Sequence, residues 1–97
     1  MMEMDFQVTE GRIFNEDEKG KTFAEITYVK SASVEDVVVA DHTYVDPSLR
    51  GQGVAEELVD ALVDEMEKQG KKIEPLCPYV VTLFKRKPDK YNKIEHK

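Results

Sequence analysis

The chain has 97 residues, a net charge of −6 and a single cysteine, and residues 1–97 are expected to form one domain around a small core. No window approaches the roughly 20 apolar residues of a membrane-spanning helix, and the first residues lack the features of a secretion signal, so we expect a cytoplasmic protein without a membrane partner. The acidic body argues against nucleic acid as a partner; it suits an amine-bearing substrate, or serves solubility alone.

Short apolar and β-branched runs predict strands in the first half of the chain. They fall at residues 6–8, 12–14 and 22–30, with a polar turn at 15–21. A longer strand is predicted at residues 37–45. Its three successive valines at 37–39 indicate that both faces of the sheet are covered there. Asp46 and Pro47 end this strand.

The second half of the chain predicts helix, strand and helix. Residues 51–69 place apolar side chains at helical spacing on one face, and Gly70 is a typical helix stop. Residues 71–77 form a short strand in which Pro75 cannot donate to a ladder, so one side should be unpaired near its end. Pro78 begins a short helix that ends before Pro88. This order predicts an α/β (α+β) fold with a mostly antiparallel sheet.

The segment between the long strand and the main helix predicts an anion site. A helix start leaves about four N–H groups unpaired, and its dipole favours negative charge. Gly51 and Gly53 permit close approach to the backbone, and Arg50 adds a positive charge suited to phosphate. A dinucleotide fingerprint is excluded because Glu56 stands where a glycine is needed. A nucleotide P-loop is excluded because no lysine follows Gly53.

Arg50, Gly53 and Ala55 form the pattern Arg-x-x-Gly-x-Ala. It resembles the Arg/Gln-x-x-Gly-x-Gly/Ala motif of the GNAT superfamily of N-acetyltransferases. Residues 42–45, 49–55 and 75–80 are similar to the short, single-domain YjdJ-like subfamily, which lacks the front helices and closing strands of larger GNAT enzymes. The resemblance implies a compact GNAT-like fold with a β-α-β acetyl-CoA-binding unit and a short C-terminal helix. It also implies acetyl-CoA as cofactor and an amine, not identified by the sequence, as acceptor.

The same resemblance implies a set of site residues. The long strand would contact the pantetheine amides, and the helix start would bind the pyrophosphate. The candidate cofactor-binding residues are Thr43, Tyr44, Val45, Arg50, Gly51, Gln52, Gly53, Val54 and Ala55. Cys77, after the second strand, is a candidate catalytic residue, either as acetyl acceptor or as proton donor to the departing thiolate. The alternative is a buried structural thiol. No metal site is predicted, since a lone cysteine cannot build a cysteine zinc site.

His42 is the second candidate catalytic residue, as the base that deprotonates the amine, with Asp41 and Thr43 as orienting neighbours. Strand alternation lets only one of His42 and Thr43 face the ligand, and a structural histidine is the alternative. The basic tail after Leu83 either reaches the 3′-phosphate of CoA or is solvated. Two functions follow: an N-acetyltransferase, or a CoA/acyl-CoA-binding module with little or no catalytic activity.

Overall fold

Within residues 6–96, five strands form one sheet whose spatial order is also their order along the chain. The computed structural model describes residues 6–96; the first five residues, which enter the expectation about a secretion signal, and residue 97 lie outside that range. The first four strands pair antiparallel and the fifth pairs parallel to the fourth. The strands are β1 Gln7–Thr9, β2 Arg12–Glu16, β3 Thr22–Lys30, β4 Val37–Val45 and β5 Lys72–Pro75. The predicted α+β class with a mostly antiparallel sheet is therefore confirmed.

The main helix, α1 Val54–Gln69, connects β4 to β5 and covers one face of the sheet. Leu58, Leu62 and Met66 on α1 are fully buried in one cluster with Ile13 and Ile26 of the sheet. Side chains that alternate with these on β3 are only partly buried or exposed. This two-layer arrangement follows from the helical spacing of the apolar residues, because a helix buries one stripe against one sheet face.

Two short helices complete the fold and lie beside α1. They are α2 Pro78–Arg86 and α3 Pro88–Tyr91. Phe84 and Tyr91 stack with ring centroids 4.9 Å apart, and Tyr91 is only 1% exposed. The chain then runs along the outer edge of β5, where Ile73 N donates to Ile94 O at 2.8 Å. The tail after Leu83 is therefore ordered and only partly solvated. Tyr91 and Ile94 supply apolar surface that the core buries, whereas Lys85, Arg86, Lys90 and Lys93 are exposed.

The remaining differences from the sequence expectations are at element ends. α1 begins at Val54 rather than at residue 51, because Gly51 and Gly53 both adopt positive φ angles of 83° and 77° that no α-helix contains. Val37 and Val38 are both buried, as expected where both faces of β4 are covered. Among residues 6–96, no helix combines the length and the apolar composition needed to cross a bilayer.

Candidate functional site

The strands β4 and β5 separate partway along their length and leave a gap in the sheet. Their pairing runs from Val37 opposite Lys72 to Ala40 opposite Pro75. Beyond it, the N–H groups of Leu76 and Cys77 both donate to Ala40 O, at 3.0 and 2.9 Å. Residues 41–45 of β4 continue without a β5 partner for about 16 Å, at about 3.3 Å per residue. The gap begins where Pro75 was expected to weaken pairing.

A β-bulge lies at the root of this gap. Thr27 pairs with His42 and Tyr28 pairs with Ala40, so Asp41 is the extra residue on β4. A bulge bends the strand that carries it and increases the local twist, which turns the end of β4 away from β5. The Asp41 carboxylate accepts a hydrogen bond from Thr27 Oγ1 at 2.6 Å. Its partner is therefore Thr27, and not His42 as the sequence suggested.

Thr43 and Cys77 face each other across the gap. Thr43 Oγ1 lies 3.3 Å from Cys77 Sγ, a distance at which either atom can donate a hydrogen bond. Cys77 is 8% exposed and belongs to the core cluster on the α1 side of the sheet. It also caps the start of α2, where Pro78 is the first helical residue. The sulfur thus lies at the inner end of the gap, next to a strand edge with unpaired backbone groups.

His42 and Tyr44 lie on the opposite face of the sheet from this pair. Thr43 pairs with the buried Ile26, whereas His42 pairs with Thr27 and is exposed. Of His42 and Thr43, it is therefore Thr43 that shares a face with Cys77. Tyr44 is also exposed, while Val45 packs partly against the core. The catalytic role of His42 stays a prediction. It now requires that the amine approach from the exposed face of the sheet.

After the C-terminal end of β4, Asp46 stabilises the sharp turn that leads to α1. The Asp46 carboxylate accepts hydrogen bonds from Ser48 N at 2.9 Å and from Ser48 Oγ at 2.7 Å, and Lys21 Nζ lies 3.5 Å away. These hydrogen bonds from Ser48, with the nearby lysine, lower the pKa of Asp46 and keep it ionised. A short 3-10 turn, Pro47–Leu49, follows. Asp46 was read from the sequence only as a strand stop, although an Asp-Pro-Ser turn is a recognisable cap signal.

The start of α1 carries the conformation expected of an anion site. Gly53 is the N-cap in the left-handed region, with no side-chain cap hydrogen bond. The first intrahelical bond runs from Glu57 N to Gly53 O at 3.1 Å, so the N–H groups of Val54, Ala55 and Glu56 are free of that ladder. A Cβ added at Gly51 or Gly53 would meet no atom within 4 Å. The space beside the backbone of both glycines is therefore free of protein atoms among the described residues.

Arg50 and Gln52 are exposed beside this open space. Gln52 Nε2 donates a hydrogen bond to Ser48 O at 3.3 Å. The free amides, the helix dipole and Arg50 together suit a diphosphate. The chain passes from the unpaired edge of β4, through the turn at residues 46–53, to this helix start. The residues predicted for the cofactor thus follow one another along the edge of β4 and the start of α1, although the side chain of Val54 is buried in the core.

A charged cluster beside the helix start was missed by the sequence reasoning. Glu56 of α1 accepts hydrogen bonds from Lys87 Nζ at 2.8 and 3.0 Å and from Lys90 Nζ at 2.8 Å. These lysines lower the pKa of Glu56 through their hydrogen bonds. Hydrogen bonds to Glu56 and Asp60 in turn raise the pKa of Lys90. The signal was present in the sequence, since Lys87 and Lys90 stand one helical turn apart, as do Glu56 and Asp60.

Comparison with known proteins agrees with this geometry. A sequence profile described as GCN5-related N-acetyl-transferase matches residues 12–94. Among curated proteins, no match is found. The NMR structure of a Staphylococcus aureus protein described as a GCN5-like N-acetyltransferase superposes with a TM-score of 0.75 at 27% identity, covering 99% of this chain and 91% of that one.

Two larger structures share the fold at lower identity. A Clostridium acetobutylicum protein described as a predicted acetyltransferase, crystallised with acetyl-CoA, gives a TM-score of 0.56 at 19% identity, over 77% of this chain and 54% of that one. A ribosomal-protein-alanine N-acetyltransferase from Brucella melitensis gives 0.58 at 20% identity, over 77% of this chain and 59% of that one. The chain therefore spans a little over half the length of these two proteins.

Proposed function

The chain belongs to the GCN5-related N-acetyltransferase family, and on that premise we propose that it binds acetyl-CoA and transfers the acetyl group to an amine. One observation carries the proposal: residues 41–45 of β4, which have no β5 partner in the described part of the chain, lie between the open start of α1 and the Cys77 sulfur. The diphosphate would bind the amides of residues 51–55 with Arg50. The pantetheine arm would pair with the backbone of Thr43, Tyr44 and Val45, as an added strand does.

Cys77 is the proposed nucleophile. Its thiolate forms a bond to the acetyl carbonyl carbon, the bond from that carbon to the CoA sulfur breaks, and the departing thiolate takes up the proton that Cys77 lost. The amine nitrogen then attacks the acetyl-Cys77 carbonyl, loses its proton and releases the Cys77 sulfur. The Thr43 hydroxyl, 3.3 Å from Sγ, can donate to the thiolate and hold it in position. The predicted role of His42 as the base would require the amine to reach it from the exposed face, opposite the face that carries Cys77.

Intact-mass spectrometry after incubation with acetyl-CoA tests this route. We expect a mass increase of about 42 Da, one acetyl group, that is absent in Cys77→Ala and disappears when a primary amine is added. An adduct that persists in Cys77→Ala would contradict the role of Cys77. Amine-dependent release of CoA without any adduct would instead support direct transfer, with Cys77 donating a proton to the CoA thiolate.

A CoA- or acyl-CoA-binding module with little activity is the second candidate. It is favoured by the exposure of His42 and Tyr44 on the face away from α1, because an acceptor would there meet an open surface and not a pocket. Tight CoA binding together with amine-independent CoA release would support this alternative. The proposal also includes membership of the YjdJ-like subfamily and a cytoplasmic location. It names the acceptor only as an amine.

A further inference from the structure

Four charged side chains form a neutral cluster against the first two turns of α1. Lys87 and Lys90 come from the C-terminal segment, residues 87–96, and Glu56 and Asp60 come from α1. Lys90 bridges the two acids, at 2.8 Å from Glu56 and 2.9 Å from Asp60. The Tyr91 hydroxyl donates to the second Asp60 oxygen at 2.7 Å. Each carboxylate is thus paired with an ammonium group within hydrogen-bond distance.

The cluster stands next to the free amides of the helix start. Glu56 is the third residue of α1, and its own N–H is one of the groups outside the intrahelical ladder. A carboxylate at this position stabilises the helix by interacting with its dipole. It also repels a phosphate that approaches the same amides. Glu57, also in the first turn, adds a second negative charge. Without the lysines, the carboxylates of Glu56 and Asp60 would lose their cationic partners beside the helix start.

The field of Glu56 also extends beyond its own helix. Tyr79, in the first turn of α2, has a raised pKa because it is partly buried and because the Glu56 charge disfavours its ionised form. Glu56 has this effect while it is paired with both lysines, so an unpaired Glu56 would act more strongly on a dianionic ligand nearby. The two lysines limit this effect because they place two positive charges at hydrogen-bond distance from the carboxylate.

We propose that Lys87 and Lys90 set the affinity for the diphosphate of CoA by cancelling the charges of Glu56 and Asp60, without contacting the ligand. The inference rests on the proposed function, since it takes CoA as the ligand of the helix start. The C-terminal segment then has two roles. It completes the core through Tyr91 and Ile94, and it makes an acidic helix start able to accept an anion.

A purely structural role for the cluster gives a different expectation, and Glu56→Gln separates the two. If the ion pairs only tie α3 to α1, this substitution lowers stability and leaves CoA binding unchanged or weaker. If the cluster sets the charge at the site, the same substitution lowers stability but tightens binding, because a negative charge is removed and Lys87 loses its anionic partner. Opposite signs for stability and affinity are therefore the signature of the proposal.

Calorimetric titration of CoA and of 3′-dephospho-CoA at about 0.05 M salt measures these signs. We expect Glu56→Gln to bind both ligands about three- to tenfold more tightly, and the double variant Lys87→Met/Lys90→Met to bind both about tenfold more weakly. Both changes should shrink at about 0.5 M salt, where exposed charges are screened. Lys68→Met is the matched control, because Lys68 pairs with Asp64 at 3.3 Å near the other end of α1. It should leave binding unchanged.

Each outcome is decisive. Unchanged or weaker CoA binding by Glu56→Gln overturns the proposal, as does a lysine effect seen with CoA but absent with 3′-dephospho-CoA, which would mean direct contact with the 3′-phosphate. Thermal melts show whether the double variant misfolds. If it does, two single variants test the proposal instead: Glu56→Gln should bind CoA more tightly, and Lys87→Arg, which retains the charge, should bind normally. Failure of the unmodified protein to bind CoA refutes the proposed function itself, and is read before any variant.

Discussion

Gly53→Ala separates the conformational role of the helix start from its role in binding. Gly53 is the N-cap of α1 at a φ of 77°, in the left-handed region that non-glycine residues adopt at a cost of about 1–2 kcal/mol. A Cβ at this position would meet no protein atom within 4 Å. Its only cost to the free protein is therefore backbone strain, which should lower the melting temperature by roughly 4–8 °C per kcal/mol.

The same Cβ would project into the space proposed for the diphosphate. Losing one hydrogen bond between a backbone amide and a charged group costs about 1.5–3 kcal/mol. This corresponds to a Kd for CoA that is roughly 10- to 150-fold higher.

Gly70→Ala supplies the control, because Gly70 caps the other end of α1 at a φ of 71°, also with no atom within 4 Å of an added Cβ. The two caps are about 26 Å apart along the helix. We expect both variants to lose similar stability in thermal melts, and only Gly53→Ala to lose CoA affinity in calorimetric titration. Equal CoA binding by the two variants would refute the assignment of the diphosphate to this helix start.

Three further predictions concern the gap, the core and pH. Thr43→Val removes the hydroxyl beside Cys77 Sγ, and we expect acetylation of Cys77 to slow by about tenfold while CoA affinity is retained; equal rates would exclude a role for this contact. Leu62→Ala, at a fully buried position, should lower the free energy of unfolding in urea by about 2–5 kcal/mol. Hydrogen bonds lower the pKa of Glu56, so its stabilising effect is present above its ordinary pKa and lost as pH falls through the lowered value. The stability difference between the unmodified protein and Glu56→Gln should therefore vanish in acid, and a difference independent of pH would contradict the ion pairing.

Local patterns predicted most of the fold because hydrophobic period and turn residues act over short distances. The helical spacing of Leu58, Leu62 and Met66 indicated the face that α1 buries, and Gly70 marked its end. The start of α1 was predicted three residues early, because two glycines with positive φ cannot be told from helical glycines by composition. The C-terminal segment was harder, since the burial of Tyr91 depends on stacking with Phe84 from another helix.

The site was predicted as a set of segments and not as a geometry. The motif identified Arg50 and the glycines, and Pro75 indicated where strand pairing ends. The bulge at Asp41 leaves no local signal, because it arises from a mismatch between β3 and β4 that only the paired register reveals. For the same reason, alternation alone could not decide whether Thr43 or His42 faces Cys77.

The central claim is that the gap between β4 and β5, with the start of α1, binds acetyl-CoA. Calorimetric titration of the unmodified protein with CoA and acetyl-CoA tests it most directly. The account predicts saturable binding of both ligands with one site per chain, weakened by Gly53→Ala but not by Gly70→Ala. No heat of binding at millimolar ligand concentration, or binding that Gly53→Ala leaves unchanged, would contradict it.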